Sequence, residues 1–555
     1  MKLLNLFIFF TIFLGSYYSV SGYGILFNKL LLQVKKKKEF INISVVSFFF
    51  TGLSLLIPIS FFNYIFFGFN LIVNCFILIL GFVIFFFNVR ILSVIKVSIL
   101  PSCLFVGLLI SKTHDDFALY HFQYLKELSD NALKLGLANI DVRYGYSSLF
   151  SYIQGIFILP YYGLKFFHVP VYLIYTSLIN YLFFKSFEVK NNKKFLIIFL
   201  EIFLIIKFKR LSEFGYDYLV QFLLIYLFVE FYTLARKTKE NIFANLVIYL
   251  SAIAFKIISI FFLPIILFFL YVEKKYFIEC LKNKLYFFSL LFIFFIILFD
   301  SFLKTGCLHY AFPITCLSSS TISWAIDINS IESNANMITL WAKGFYHQGP
   351  ERVEDTRLYL QNFNWIFNWI YIHFYKKILD SIFVGFLIFI FLYFFKSEKK
   401  LYDYEKYIIF FLLLSLILWL LVLPQFRFGF SIIILLTYFI LKTFFRKDTR
   451  IQRNQFILIM IFLLIYFNYM NLLRIKEEFT RNDEYKYVNF PFFPIDEKKY
   501  LVRYTSANNR YFSPVNKQNQ DHCFNLPTIC SAMNIDLLFY NIFHKKIILI
   551  KKNND

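Results

Sequence analysis

Charged residues are scarce in this chain of 555 residues. Asp, Glu, Lys and Arg make up 16% of it, whereas soluble domains contain about 25%. Hydrophobic residues reach 59%, and the mean hydropathy is +0.64. A soluble fold of this length has too little interior to bury so many apolar side chains, but a lipid bilayer solvates them. The composition therefore predicts a polytopic integral membrane protein with the bilayer as its partner.

Motifs for nucleotide and soluble-cofactor chemistry are also missing. The sequence contains no Walker A phosphate loop, no Rossmann glycine pattern and no HExxH pair, so it does not support ATP-driven transport or soluble-cofactor chemistry. No internal repeat of Gly- or Pro-broken spans stands out, which disfavours a secondary transporter. His309, His347 and His373 share one polar region, but their spacing matches no metal motif.

The net charge of +23 does not indicate nucleic-acid binding. Lys and Arg occur in short clusters between apolar runs, not along one face as a nucleic-acid site requires. The positive-inside rule explains this pattern, because cytoplasmic loops of membrane proteins are rich in Lys and Arg. We assign the clusters to the cytoplasmic side; they lie at 35–38, 190–194, 236–239, 274–275, 396–400 and 446–450.

The apolar runs predict an all-α fold, a bundle of about 12–14 transmembrane helices. The predicted spans are 3–22, 41–62, 65–88, 93–111, 168–186, 194–208, 218–235, a broken pair within 243–272, 285–300, 377–396, 405–423, 428–444 and 454–471. The first span is either a retained helix or a cleaved signal peptide, because Ser21 and Gly22 are small residues after an apolar core.

Polar stretches between the spans predict the domain organisation. Residues 1–111, 168–300 and 377–471 form the helical parts. Segment 112–167 is expected to be an outward loop with an acidic motif and a helix at 148–166 that lies along the interface. Residues 301–376 form a second outward loop, and 472–555 form a small outward C-terminal tail. We expect a bacterial inner membrane with this tail in the periplasm.

Four of the seven cysteines lie in the segments predicted to face outward. Cys307 and Cys316 share one loop, and Cys523 and Cys530 share the tail. Two close pairs in an oxidising compartment suggest two local disulfides, and free thiols are the alternative.

The most unusual stretch is 114–148, where acidic, imidazole and guanidinium groups crowd next to lipid. Asp115 and Asp116 lie at the outer end of a predicted span, with His121 and Arg143 shortly after. An Asp here can accept a proton from an acceptor as general base, or hold a divalent cation that neutralises a leaving phosphate. Arg143 can contact phosphate oxygens through its planar fork. A solvated loop start without chemistry is the alternative.

The pattern D-D-x-x-x-Y-H at 115–121, followed by G-L-A-N at 136–139 and then an Arg, resembles a family of uncharacterised bacterial polytopic membrane proteins. That family in turn resembles the GT-C class of glycosyltransferases, which use lipid-phosphate-linked sugars. GT-C enzymes usually carry their acidic motif after the first span, whereas here it follows the fourth. The other matching patches are Gly22-Tyr23-Gly24, Asp217, Lys256, Pro424 with Arg427, and DHCFNLPTIC at 521–530.

The resemblance implies roles for individual residues. Asp115 or Asp116 would be the base, or the ligand of any divalent cation. His121 would support this base or bind the acceptor. Arg143 and Arg427 would bind the donor phosphates.

Other polar and aromatic residues lie within or beside apolar runs. Asp217 either lines a cavity or is in water, and Glu201 in mid-span must face the bundle interior. Lys256 interrupts an apolar stretch, so it either snorkels or contacts a phosphate or carboxylate inside the bundle. Trp365 and Trp369, at i and i+4, predict an interfacial helix that anchors the outer loop.

The function we expect is transfer of a sugar from a polyprenyl-phosphate donor onto a glycan, lipid or protein acceptor in the cell envelope. One alternative is an O-antigen-type polymerase or ligase, a class that relies on Arg more than on Asp. A second is a transporter or flippase, which predicts a continuous polar path past Glu201, Asp217 and Lys256. A binding or scaffold role is the third.

Overall fold

The chain forms a helical bundle with short strands at its ends. A computed structural model describes residues 2–551, with gaps at 33–41, 110–115, 117–119, 130–132, 147, 190, 210, 212–215, 234–237, 311, 319, 346–354, 395–396, 399–402, 446–447, 450, 481–489, 492–499, 505–509, 515–526, 531–536 and 543–545.

Helices account for most of the described residues. They are α1 (Lys2–Leu30), α2 (Asn42–Phe67), α3 (Leu71–Asn88), α4 (Ile91–Leu104), α5 (Phe122–Ser129), α6 (Phe150–Ile156), α7 (Val169–Glu188), α8 (Asn191–Lys207), α9 (Asp217–Thr233), α10 (Lys239–Phe255), α11 (Leu263–Val272), α12 (Lys274–Lys282), α13 (Lys284–Thr305), α14 (Ile328–Ala342), α15 (Thr356–Leu360), α16 (Ile366–Trp369), α17 (Leu379–Tyr393), α18 (Asp403–Val422), α19 (Phe426–Phe445) and α20 (Arg453–Thr480).

Nine helices in the described part of the chain are long and apolar enough to cross a membrane, or ten if the bent pair Ile257–Val272 and Lys274–Lys282 counts as one crossing. α8, α9 and α10 are apolar but have only 17 residues each, and α17 has 15. The prediction of an all-α transmembrane bundle is therefore confirmed.

Burial separates a central layer of helices from a lipid-facing one. The span Leu164–Glu188, which contains α7, is 94% buried inside the protein, whereas the spans of α3, α13 and α20 are each 22% buried. Apolar side chains on the outer helices are exposed because lipid, not protein, covers them. α7, α8 and α9 therefore form the core against which the other helices pack.

Helix α1 runs to Leu30, beyond the predicted end of the first span at 22. Gly22 and Gly24 lie inside α1 and bring it against its neighbours. A Cβ on Gly22 would lie 1.9 Å from the carbonyl oxygen of Gly81, and one on Gly24 would lie 1.7 Å from that of Phe48. The small residues at this point serve close packing of α1 on α2 and α3.

Two helix breaks lie at the end of the bundle that carries the 116–167 loop. Between α10 and α11, Lys256 is extended, with φ −161° and ψ 128°. The Ser259 hydroxyl donates to the carbonyls of Ala252 (2.7 Å) and Lys256 (2.6 Å). Such a break needs these bonds because carbonyls inside a bundle cannot turn to water.

The second break, residues 423–425, separates α18 from α19. The indole of Trp369 donates to the Pro424 carbonyl oxygen at 2.5 Å, and that of Trp419 donates to the Gln425 carbonyl oxygen at 2.9 Å. Trp365 and Trp369 are both buried, so the prediction of an interfacial anchor is wrong. Their spacing identified one helix face, but protein covers that face.

Segment 148–166 contains α6, whose seven residues are all buried. Seven residues rise about 10 Å, too little to cross a bilayer. α6 packs against neighbouring segments, and its Gln154 amide donates to the Phe167 carbonyl oxygen at 3.0 Å. The interfacial position of segment 148–166 stays a prediction.

Short strands complete the fold. They are β1 (Leu133–Leu135), β2 (Ser397–Glu398), β3 (Asp448–Thr449), β4 (Tyr500–Tyr504), β5 (Arg510–Pro514), β6 (Leu537–Ile542) and β7 (Lys546–Lys551). β7 pairs antiparallel with β6 and parallel with β1, so the tail adds strands to the loop between α5 and α6. β2 pairs with β3, and β4 with β5.

Candidate functional site

Four charged side chains from four separate segments meet at the two helix breaks. The Nη1 atom of Arg427 lies 2.9 Å from Oδ2 of Asp116, and its Nε lies 3.0 Å from Oδ2 of Asp217. The Nζ atom of Lys256 contacts the other carboxylate oxygen of Asp217, Oδ1. We call Asp116, Asp217, Lys256 and Arg427 the charge network.

Local backbone structure explains how the charge network forms. Asp217 is the first residue of α9, where the positive end of the helix dipole favours a carboxylate. Lys256 and Arg427 lie at the two breaks, which turn their side chains toward Asp217. Gln221 ties α9 to α19, because its amide donates to the Phe428 carbonyl oxygen (2.9 Å) and accepts from the Ser431 hydroxyl (2.7 Å).

Aromatic faces and an amide hold Arg427 in place. Its guanidinium carbon lies 4.7 Å from the ring centre of Trp341 and 5.3 Å from that of Phe428. Its Nε donates to Oε1 of Gln425 at 3.0 Å. Sequence analysis missed Trp341 and Gln425. The break at Pro424 was a signal for Gln425, but nothing local marked Trp341.

A cavity opens beside the charge network. It has about 340 Å³ of empty volume, part of it open to solvent. Its lining combines five tyrosines with three basic groups: Tyr120, Tyr124, Tyr144, Tyr146, Tyr216, His121, Arg143 and Lys256. We call this the tyrosine pocket. Lys256 belongs to both the pocket wall and the charge network, so the two form one site.

His121 is neutral in this pocket. Burial lowers its pKa to about 3, and the Lys256 ammonium acts in the same direction. Its ring lies 4.7 Å from that of Tyr216, edge to face, and 4.1 Å from that of Tyr120. The imidazole can therefore accept or donate a hydrogen bond at neutral pH, but it contributes no charge.

Arg143 lies on the pocket wall, apart from the carboxylates of the charge network. Its Nε and Nη2 atoms bind the Asp141 carboxylate at 2.9 and 2.5 Å, and its guanidinium stacks on Tyr120 at 5.5 Å. Burial lowers the pKa of Arg143, but the hydrogen bond and charge of Asp141 outweigh burial and raise it. Arg143 is therefore a fixed cation on the pocket wall.

The remaining predicted residues fall elsewhere. Asp115 and Cys523 lie outside the described residues. Cys307 and Cys316 form a disulfide, and Cys530 is disulfide-bonded. Glu201 is fully buried in α8, and neither of its carboxylate oxygens has a hydrogen-bond partner among the described residues.

The described residues do not fit a divalent cation. Within the ranges that the structure covers, no group of three or more His, Cys, Asp or Glu side chains could hold a metal ion. The two carboxylates here already face Arg427 and Lys256, and hard cations require several oxygen ligands.

Comparison with known proteins gives a family but no activity. Residues 3–434 match the family model described as "Domain of unknown function (DUF8201)". This range includes the whole charge network and the whole tyrosine pocket, and it leaves out α20 and the tail. No curated protein and no solved structure matches the chain.

Proposed function

The chain belongs to the DUF8201 family, and we propose that it is a membrane glycosyltransferase that uses a polyprenyl-phosphate-linked sugar. The observation that carries the proposal is the position of Arg427. Its guanidinium is shared between Asp116 and Asp217, and Asp217 also binds Lys256, which lines the aromatic pocket. An arginine held in this way suits a phosphate, because its planar fork matches phosphate oxygens.

A donor phosphate would compete with Asp116 for Arg427. Both are anions that bind the same guanidinium, and the two side chains are still 14% and 19% exposed. Asp217 is 5% exposed and also holds Lys256, so it stays in place as the structural partner of both cations. Donor binding thereby releases Asp116 to act as a base, which couples base activation to the presence of the donor.

The transfer step then follows from these positions. The acceptor hydroxyl oxygen forms a bond to the anomeric carbon of the sugar, and the bond between that carbon and the donor phosphate oxygen breaks. The hydroxyl proton passes to the Asp116 carboxylate. The polyprenyl phosphate leaves with the bonding electrons, and Arg427 and Lys256 balance its charge.

The tyrosine pocket suits the sugar. Aromatic rings offer apolar faces to a sugar ring, and their hydroxyls supply hydrogen bonds at the edges. Neutral His121 and the Arg143 cation add further polar contacts to the acceptor or the phosphate. The pocket lies where the helices end, so the prenyl chain can stay in lipid. The Lys and Arg clusters of the opposite loops support our assignment of this end to the periplasmic face of a bacterial inner membrane.

An O-antigen-type polymerase or ligase is the second candidate. It is favoured by the contact of Arg427 with two carboxylates and two aromatic faces, which makes an arginine the centre of the site. In such an enzyme the guanidinium would carry the reaction, and Asp116 would only hold it in place.

Complementation of a deletion strain separates these candidates. The strain receives wild type, Asp116→Asn, Arg427→Ala or Asp380→Asn, and the readouts are envelope glycan on a gel and protein level on a blot. Asp380→Asn is the matched control. Asp380 pairs with Lys207 at the same end of the bundle, but its side chain is 57% exposed.

We expect wild type and Asp380→Asn to restore the missing glycan and Asp116→Asn, at normal protein level, to fail. Full restoration by Asp116→Asn would contradict the base assignment. Restoration by Asp116→Asn together with loss in Arg427→Ala would favour the polymerase or ligase. No change of envelope glycan in the deletion strain would exclude both.

A further inference from the structure

The loop after α13 carries an apolar surface that no part of the described protein covers. Residues 306–317, which we call the disulfide loop, begin one residue after α13 ends and are closed by the Cys307–Cys316 bond. At the tip, Ile314 is 96% exposed. Leu308, Phe312 and Leu317 are also exposed.

The composition of this region is unusual for a surface loop. Between Lys304 and Asp327 the sequence has no Asp, Glu, Lys or Arg. Burial among its neighbours lowers the pKa of His309, which keeps this side chain neutral at pH 7. A segment exposed to water would normally be rich in charged groups.

The backbone of the disulfide loop satisfies many of its own hydrogen bonds. The N–H of Leu308 donates to the Thr315 carbonyl (3.1 Å) and that of Leu317 to the Gly306 carbonyl (3.2 Å). The Thr315 hydroxyl donates to the His309 carbonyl at 2.9 Å. Polar groups paired in this way can leave water at low cost, which is the requirement for entering a membrane.

The position of the disulfide loop matches a bilayer surface. α13 has 22 residues, which rise about 33 Å, close to the thickness of the hydrocarbon core. Its side chains face lipid over most of this length, since its span is only 22% buried. A loop that starts at Gly306 therefore emerges at the headgroup level, beside a helix already in contact with lipid.

We propose that the disulfide loop inserts its apolar tip into the lipid leaflet on the side of the charge network. Phe312 and Ile314 enter the boundary between headgroups and acyl chains, to a depth of about 5–10 Å. This inference does not depend on the proposed glycosyltransferase activity.

The base of the loop connects this membrane contact to the tyrosine pocket. Tyr310 is buried, and its ring lies 4.7 Å from that of Tyr146, which lines the pocket. A Cβ on Gly145 would lie 2.6 Å from the Tyr310 ring, so the two segments touch directly. Insertion of the tip would hold this wall of the pocket at the height of the lipid surface.

A fluorescent amino acid placed at Ile314 or at Ser320 tests the proposal. Ser320 is the matched control, because it is exposed in the polar stretch six residues further on. The full-length protein is reconstituted in nanodiscs of phosphatidylethanolamine and phosphatidylglycerol. The quenchers are nitroxide groups at shallow acyl-chain positions, or iodide in the water. Monodisperse elution of each labelled protein shows that it is folded.

We expect acyl-chain nitroxides to remove more than about half of the emission at position 314 and little of that at position 320. Iodide should quench position 320 more than position 314. Equal quenching of both positions by iodide would overturn the proposal. A photo-crosslinker at 314 in native membranes should give lipid adducts, and a single protein adduct in their place would show a protein-binding surface and also overturn it.

Discussion

The same two helices, α9 and α19, contribute to a buried charged cluster at each end of the bundle, but the two clusters differ. At one end, α9 and α19 contribute Asp217 and Arg427 to the charge network. Fifteen residues further along each helix, Tyr232 and Lys442 both contact Glu405 at 2.7 Å. Fifteen residues correspond to about 22 Å of helix, so the clusters lie on opposite sides of the bundle.

The two clusters differ in whether their charged groups are accessible from a cavity. Lys442 and Glu405 are 1% and 4% exposed, so this pair is sealed by protein. In the charge network, Arg427 is divided between two carboxylates that come from segments 101 residues apart, and Lys256 lines a cavity. A sealed pair contributes to the structure alone, whereas a shared cation at a cavity can exchange one partner for a substrate.

Asp217→Asn should have the largest effect, because it removes the carboxylate that both cations share. We expect the rate of sugar transfer to fall by more than about 100-fold and the free energy of unfolding to fall by about 3–5 kcal/mol. Initial rates in membranes and denaturant unfolding in detergent measure the two effects. An Asp217→Asn protein that transfers sugar at the wild-type rate would show that the charge network, like the Glu405 cluster, is only structural.

Lys442→Met should affect stability alone. It leaves the Glu405 carboxylate buried without its ammonium partner, which costs about 3–5 kcal/mol of unfolding free energy. Transfer per folded molecule should not change. The double variant Lys442→Met with Glu405→Gln should recover most of the loss, since it leaves no buried charge. A fall in activity per folded molecule would show that the sealed pair also serves function.

Trp369→Phe tests whether the charge network depends on the hydrogen bonds that hold the break at residues 423–425. The change keeps an aromatic ring but leaves the Pro424 carbonyl without the indole N–H, which costs about 1–3 kcal/mol. Arg427, three residues later, should bind the donor less well, so KM for the lipid-linked sugar should rise. Phe389→Leu, at a buried aromatic site remote from the break, is a control for lost packing. Equal changes of KM in both variants would contradict the positioning role.

The substitution His121→Gln should have the smallest effect of these changes at neutral pH. Its pKa is about 3 in the folded protein, against 6.5 ordinarily, so between these values the unfolded chain binds a proton that the folded chain does not. Stability contributed by the neutral His is therefore present above pH 6.5 and is lost as pH falls toward 3. His121→Gln should lose less stability than wild type over this window. The pH profile of transfer from pH 7 to 8 should keep its shape.

Much of the fold was predictable because long apolar runs indicate helices that avoid water and can cross a membrane. The breaks at Lys256 and Pro424 were also visible in the sequence, since a Lys inside an apolar run and a Pro between two runs both interrupt a helix. The buried position of α6, and of Trp365 and Trp369, was not predictable. Apolar periodicity shows which residues avoid water, but it does not distinguish cover by lipid from cover by protein.

The candidate site was predictable as a list of residues but not as an arrangement. Asp116, Asp217 and Arg427 stood out as charged groups at the ends of spans, and Lys256 stood out as a charge inside an apolar run. Their meeting point did not, because the Asp116–Arg427 contact joins residues 311 positions apart. Trp341 carried no local signal at all. The packing of α9 against α10 and α19 brings Asp217, Lys256 and Arg427 together.

The strand pairing of the tail has a consequence for biosynthesis. β1 lies between α5 and the segment that carries Arg143, and its partner β7 is at 546–551. The N–H of Cys530 also reaches back 403 residues to the carboxylate of Glu127. The nascent chain therefore inserts its helices while β1 still has an open edge, and this edge closes only after translation of the final strand. A product truncated before residue 546 would keep an unpaired strand beside the pocket, where a chaperone or quality-control protease could recognise it.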